Sequence, residues 1–168
     1  MDSAIINFAV YEDGKELVGM ADLTLPDVTF LTQTISGSGL GGNVEAVLPL
    51  IDALTATLNF RVLNKSAAQL ASPKKHMLDC RGAQQQIDDA RGTVKEVAVK
   101  HVLCGTPKTF KPGKLAPASS GDTSIELALD SYTCYVEGKK TIDICARTMT
   151  CYINGVDYLK GTRQALGK

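Results

Sequence analysis

Leu54-Thr55-Ala56-Thr57-Leu58-Asn59-Phe60-Arg61-Val62 decides the fold class. Leu54, Ala56, Leu58, Phe60 and Val62 alternate with Thr55, Thr57, Asn59 and Arg61. Successive strand residues point to opposite faces, so this segment predicts a strand with one buried and one wetter side. Just downstream, Asn64 caps a short helix over Lys65 to Ala71, stopped by Pro73.

The rest of the chain repeats the pattern. Ile5 to Tyr11 is a short apolar run that turns at Glu12-Asp13-Gly14-Lys15. From Leu17 to Leu25, Leu17, Ala21, Leu23 and Leu25 share one face, while Met20, Asp22 and Thr24 take the other. Pro26 ends or bulges that strand. Val28 to Ile35 has threonine-rich strand composition with ambiguous parity. Long strands over His76 to Asp88 and Thr93 to Gly105 meet at Asp89-Ala90-Arg91-Gly92, and Thr106 to Gly121 reads as an irregular loop with three lysines. In the strand carrying Ile125, Leu127 and Leu129, the apolar face later moves to Tyr132, Cys134 and Val136. The last strand switches likewise, from Ile142 and Ile144 to Met149, Cys151 and Ile153, which implies bulges or strands that bend between sheets.

At the C-terminus, Asn154-Gly155 predicts a tight turn. Asp157 is placed to cap a final helix, Leu159, Thr162 and Leu166 share its face, and Gly167 suits a left-handed end. So short a helix needs something to pack on, so Asp157, Leu159 and Leu166 are expected to dock it. The fold expected is mainly β: two packed antiparallel sheets, as a sandwich or partly open barrel, with two short helices, one at the C-terminus. At 168 residues, a single domain over 1–168 is expected.

Chemistry is hard to find. Gly37-Ser38-Gly39-Leu40-Gly41-Gly42 matches the dinucleotide fingerprint by letter. That motif needs a buried parallel strand before it and a helix after it. Here the preceding strand is polar and Pro49 would interrupt a helix on the other side, so a hairpin loop is the better reading. His76 and His101 lack repeated ligand spacing, and the paired acids Glu12-Asp13 and Asp88-Asp89 sit at turns. Cys80, Cys104, Cys134, Cys145 and Cys151 are odd in number and include no Cys-x-x-Cys, so they read as reduced, half-buried strand residues. No cofactor, metal or enzymatic activity is expected. The chain opens without the basic stretch and apolar core of a signal peptide, and no membrane segment is expected.

Charge is unevenly spread. Residues 1–60 carry eight acids against one base, Lys15, and the remainder seventeen bases against ten acids. This asymmetry either serves self-association or reflects ordinary solvated faces.

One further set of residues resembles a known family. Ile153-Asn-Gly-Val-Asp-Tyr-Leu followed by Arg163 and Ala165-Leu-Gly is similar to the end of the major tail tube proteins of contractile-tailed phages and tailocins. Leu23-Thr-Leu-Pro-Asp-Val with Thr34-Ile-Ser-Gly-Ser-Gly-Leu-Gly-Gly, and Tyr135-Val-Glu-Gly-Lys leading through Ile142-Asp143, agree in order. The resemblance implies a structural protein of the virion, made in the host cytoplasm. Hexameric rings would stack into an inner tube, surround the tape-measure protein, meet sheath and baseplate, and pass DNA. It also implies that the stretch from Ser36 to Leu48 is a loop reaching a neighbouring ring, with Ser36, Gly37, Ser38, Gly39, Leu40, Gly41, Gly42 and Asn43 at its heart. The polar faces carrying Asp22, Thr24, Thr55, Thr57 and Asn59 have the composition of a bore lining: carboxylate and hydroxyl groups that do not hold phosphates. The alternative is a monomeric β-sandwich binding module, for example for carbohydrate; scarcity of aromatics weighs against it.

Overall fold

The computed structural model describes residues 3–168; Met1 and Asp2, with the reading of the chain's first residues, lie outside it. The strands are β1 (Ser3–Glu12), β2 (Lys15–Glu16), β3 (Met20–Thr24), β4 (Phe30–Ile35), β5 (Val44–Ile51), β6 (Leu54–Phe60), β7 (His76–Asp88), β8 (Thr93–Lys111), β9 (Thr123–Val136), β10 (Lys139–Cys145), β11 (Thr150–Ile153) and β12 (Val156–Asp157). Two short helices, α1 (Lys65–Leu70) and α2 (Lys160–Ala165), complete the chain. No helix among the described residues is long and apolar enough to cross a membrane.

All pairing is antiparallel, and β8 and β9 carry the architecture. Their first and last halves belong to different layers. The outer layer runs β12-β11-β10-β9-β8-β7-β1-β2. The inner layer runs β3-β6-β9-β8, using Thr123–Leu129 of β9 and Gly105–Lys111 of β8. The change of layer falls where Cys104 faces Ser131 but Gly105 faces Leu129, leaving Asp130 as the extra residue of a bulge. A Cβ on Gly105 would lie 2.4 Å from the Ala128 carbonyl oxygen, so only glycine lets the two strands approach this closely. The parity switch in β9 is therefore a bulge at a bend. That in the last strand has another cause: β10 and β11 are separate strands joined by a turn over 146–149, with Met149 at φ 51°.

The core fills the space between layers. Leu54, Ala56, Leu58 and Phe60 of β6 face Leu78, Leu103 and Ile144 from the outer layer, with Ile125 and Leu127 beside them. Each is buried, and full burial of such side chains stabilises by about 1.5–3 kcal/mol apiece. One end is closed by α1, which buries Ala67 and Leu70. Its cap is Asn64, whose Oδ1 accepts from the Ala67 N–H at 2.9 Å while its Nδ2 donates to the Val18 carbonyl. Under α1, buried Glu12 and His76 bond each other, and His76 Nε2 reaches the Ser72 carbonyl at 2.9 Å.

Several expectations need correction. Strand β8 continues through Thr106 to Lys111, so the predicted irregular loop shrinks to residues 112–122. Pro107 is tolerated because, among the described residues, no strand lies on that side of β8. Four of the five free cysteines are fully buried; Cys145 alone is half-buried.

Candidate assembly surfaces

β3 and β6 pair with Asp22 opposite Asn59 and Thr24 opposite Thr57. Since Leu54, Ala56, Leu58 and Phe60 point into the core, Thr55, Thr57 and Asn59 point away from it. The five residues expected as a polar lining therefore share one face, and Asn59 Nδ2 donates to Asp22 Oδ1. The register continues across the layer. Asp22, Asn59, Ser124 and Lys111 form one row, and Thr24, Thr57, Glu126 and Thr109 the next.

Lys108, Thr109, Lys111, Ser124 and Glu126 were not anticipated on this face. The Glu126 alternation was legible, but which strand lay beside β6 was not. Lys108 Nζ sits 3.1 Å from Glu126 and 3.4 Å from the Thr55 hydroxyl. The face is thus hydroxyl-rich with balanced charge, and not a row of carboxylates.

Each edge of this layer is open. Among the described residues β3 pairs only with β6, and Thr106–Lys111 of β8 only with β9. The outer layer, by contrast, ends at β2 and β12, two residues each. Very short edge strands are how sheets avoid unwanted pairing, and the inner layer lacks that protection.

The glycine run sits at the tip of an arm. β4 and β5 form a separate two-stranded sheet, with Ile35 opposite Val44, so residues 36–43 are the loop between them. The expected loop from Ser36 to Leu48 is corrected here: Val44 to Leu48 belong to β5. Pro49 lies where the register slips between Phe30 opposite Ile51 and Thr32 opposite Val47, a break that excuses its missing N–H. A loop joining antiparallel strands lacks the parallel strand and following helix that a dinucleotide site needs. Leu31, Ile35, Val44 and Val47 of the arm are exposed. Ile35 and Val44 share one face of the arm and Val47, opposite Thr32, takes the other; among the described residues neither strand pairs outside this hairpin.

At the C-terminus, the predicted turn is present, with φ 49° at Asn154 and 86° at Gly155. Gly167 has φ 74°, and Lys168 N–H donates to the Arg163 carbonyl at 2.9 Å. The docking differs from expectation. Helix α2 begins after Leu159, and Asp157 accepts from the Leu159 N–H at 3.1 Å instead of capping the first turn. Leu159 is buried, but Leu166 is 58% exposed. Arg163 supplies the rest, pairing with the Asp157 carboxylate and donating to the Met149 carbonyl at 2.7 Å. An arginine fork replaces the second leucine, a role that helical periodicity does not reveal.

Among the described residues no group of three His, Cys, Asp or Glu is placed to hold a metal. Burial, with Asp79 alongside, pushes the Cys80 thiol up to about 12, which disfavours the thiolate. Burial lowers the pKa of His101, whose Nδ1 lies 2.8 Å from the Tyr132 hydroxyl.

No curated protein sequence matches this chain. Several solved structures resemble it in fold, two of them from contractile injection systems. One, in the sheath/tube terminator of an extracellular contractile injection system (PVC) in its extended state, superposes with a TM-score of 0.55 at 12% identity, covering 77% of this chain and 94% of that one. Another, in the sheath-tube complex of such a system (PVC), also extended, gives 0.54 at 14% identity, covering 77% and 88%. The family model for phage tail tube protein FII matches residues 2–167, and the chain belongs to that family of structural tail tube proteins.

Proposed function

We propose that this chain, as one domain, is the repeating subunit of the inner tube of a contractile tail: six copies close a ring, rings stack, and the bore conducts DNA. The observation that carries this is the inner layer. Its four strands alternate in direction, and its two outermost strands, β3 and the end of β8, are open and run oppositely. Rotation about an axis copies a sheet without reversing it. The β8 edge of one subunit therefore meets β3 of the next antiparallel, leaving no free edge once the ring closes. Six such sheets make a barrel of roughly 24 strands. At about 4.8 Å per strand that is about 115 Å around and about 37 Å across, and strand tilt widens it further.

In this arrangement the face of Asp22, Thr24, Thr55, Thr57 and Asn59 lines the bore. Its charges are balanced and its hydroxyls numerous, so phosphates find no cationic wall to bind. The outer layer faces the sheath, the Ser36–Asn43 arm reaches a neighbouring ring, and Leu159 holds the C-terminal helix down. The tape-measure protein fills the tube during assembly in the host cytoplasm, and the baseplate meets its end. The role is geometric, without turnover or cofactor. Light scattering with negative-stain microscopy of the purified protein tests it: rings or tubes are expected above a critical concentration. A protein monomeric at high concentration would overturn it in favour of a binding module.

A further inference from the structure

Beside β3 the space between the layers is not filled. A mostly apolar cavity of about 320 Å³ opens there, with Leu23 and Leu25 on one side and Ile5, Phe8, Gly82 and Val99 on the other; Asp22, Arg81, Gln84 and His101 also line it. That is about twice the ~150 Å³ of an apolar cavity that takes up benzene. The hollow has a cause in the sequence. Leu78 and Cys80 of β7 are core residues, so period 2 points position 82 inward as well. Position 82 is glycine, and a Cβ there would meet nothing nearer than the Val99 carbonyl at 3.9 Å. The layer is left with room for a side chain that its own β7 does not supply.

The opposite edge of the inner layer carries a side chain with no room of its own. Phe110 on β8 pairs with Ile125, which is fully buried, so Phe110 points to the core side of the sheet. Yet it is 38% exposed, because among the described residues no strand lies beyond it. Leu23, Leu58, Ile125 and Phe110 form one cross-strand row: it begins beside the cavity and ends at this aromatic.

Resting on the tube reading above, we propose that the cavity beside β3 is the seat for Phe110 of the neighbouring copy, so each ring seam is locked by an aromatic side chain inserted between the neighbour's two layers. When β8 of one copy joins β3 of the next, its core-side residues come to lie over the part of the outer layer that β3 leaves uncovered. A closed barrel steps its register by a few residues between subunits. The cavity is long in that direction, running from Leu23 on β3 to Leu25 just beyond the strand's end, and from Ile5 to Phe8 on β1. Both surfaces lie on one chain but at opposite edges. The contact is therefore heterologous: it cannot satisfy a lone subunit, and a closed ring saturates it. A buried aromatic anchor in a preformed apolar pocket is also where interface energy concentrates.

Two variants test this. The chain contains no tryptophan, so Phe110→Trp introduces a single fluorescent indole at the seam. Its emission is expected to be that of a solvent-exposed indole in the monomer and to shift to the blue when tubes form. Gly82→Leu fills the cavity without backbone conflict. It is expected to leave a folded monomer with an unchanged or raised melting temperature and to raise the critical concentration at least tenfold. An indole that stays solvent-exposed in assembled tubes, or a folded Gly82→Leu variant assembling at the parental concentration, overturns the proposal while leaving the tube intact. Failure of the parent protein to assemble overturns the tube reading itself, and the seat with it. If Gly82→Leu does not fold, the indole's emission decides alone.

Discussion

Replacing Leu159 with alanine separates two ways of holding the C-terminal helix. Leu159 is 4% exposed, and Leu→Ala at buried sites costs about 2–5 kcal/mol. It stands at the N-cap of a six-residue terminal helix with no buried residue of its own, a segment free to settle inward, so the lower part of that range, about 2–3 kcal/mol, applies. For a chain of this size each kcal/mol moves the melting temperature by about 2–4 °C, giving a fall of about 4–12 °C. Leu166→Ala, at an exposed site, should stay within about 0.5 kcal/mol, or about 2 °C. The assay is thermal unfolding followed by circular dichroism, at a concentration below assembly because association stabilises by mass action. Equal shifts for the two variants, or a larger one at Leu166, would refute the reasoning and show that α2 docks through its apolar stripe.

Gly105→Ala should lower the denaturant midpoint sharply, because its Cβ would meet the Ala128 carbonyl at 2.4 Å and the Leu129 Cα at 2.9 Å, both backbone atoms. The Asp157 carboxyl is held below its usual range chiefly by the hydrogen bond from Arg163. Its contribution is therefore complete above the unfolded value of about 3.9 and is lost as pH falls through the lower folded value. Amide exchange should report α2 loosening at acid pH in the parent, and already at neutral pH in Arg163→Gln. Shortening Gly37–Gly42 should leave a folded protein that no longer stacks; nucleotide binding by calorimetry, lost with the same deletion, would point elsewhere. Asp22→Lys should still assemble but slow DNA ejection at low salt, where screening is weakest, and parental rates there would remove the bore assignment's support.

The strands were legible wherever one face is wet and the other dry, as in β6, whose alternation survives intact from sequence to structure. The bulge at Asp130 announced itself because one extra residue flips every later side chain. β5 escaped notice because Pro49 and two wet faces erase any period, and on an arm that packs on little of its own chain nothing imposes one. The end of β8 was hidden by Pro107, which central strands exclude but an open edge accepts. Asp22, Thr24, Thr55, Thr57 and Asn59 could be grouped from composition. Lys108 and Lys111 on the same face could not, because pairing partners are set by topology and not by local pattern.

A reconstruction of the assembled particle by electron cryo-microscopy tests the central claim most directly. The result expected is a closed antiparallel barrel in which β3 of each subunit lies beside the 106–111 stretch of β8 of the next, with Asp22, Thr57 and Asn59 on the bore. Subunits joined through other edges, or a bore lined by the outer layer, would contradict it.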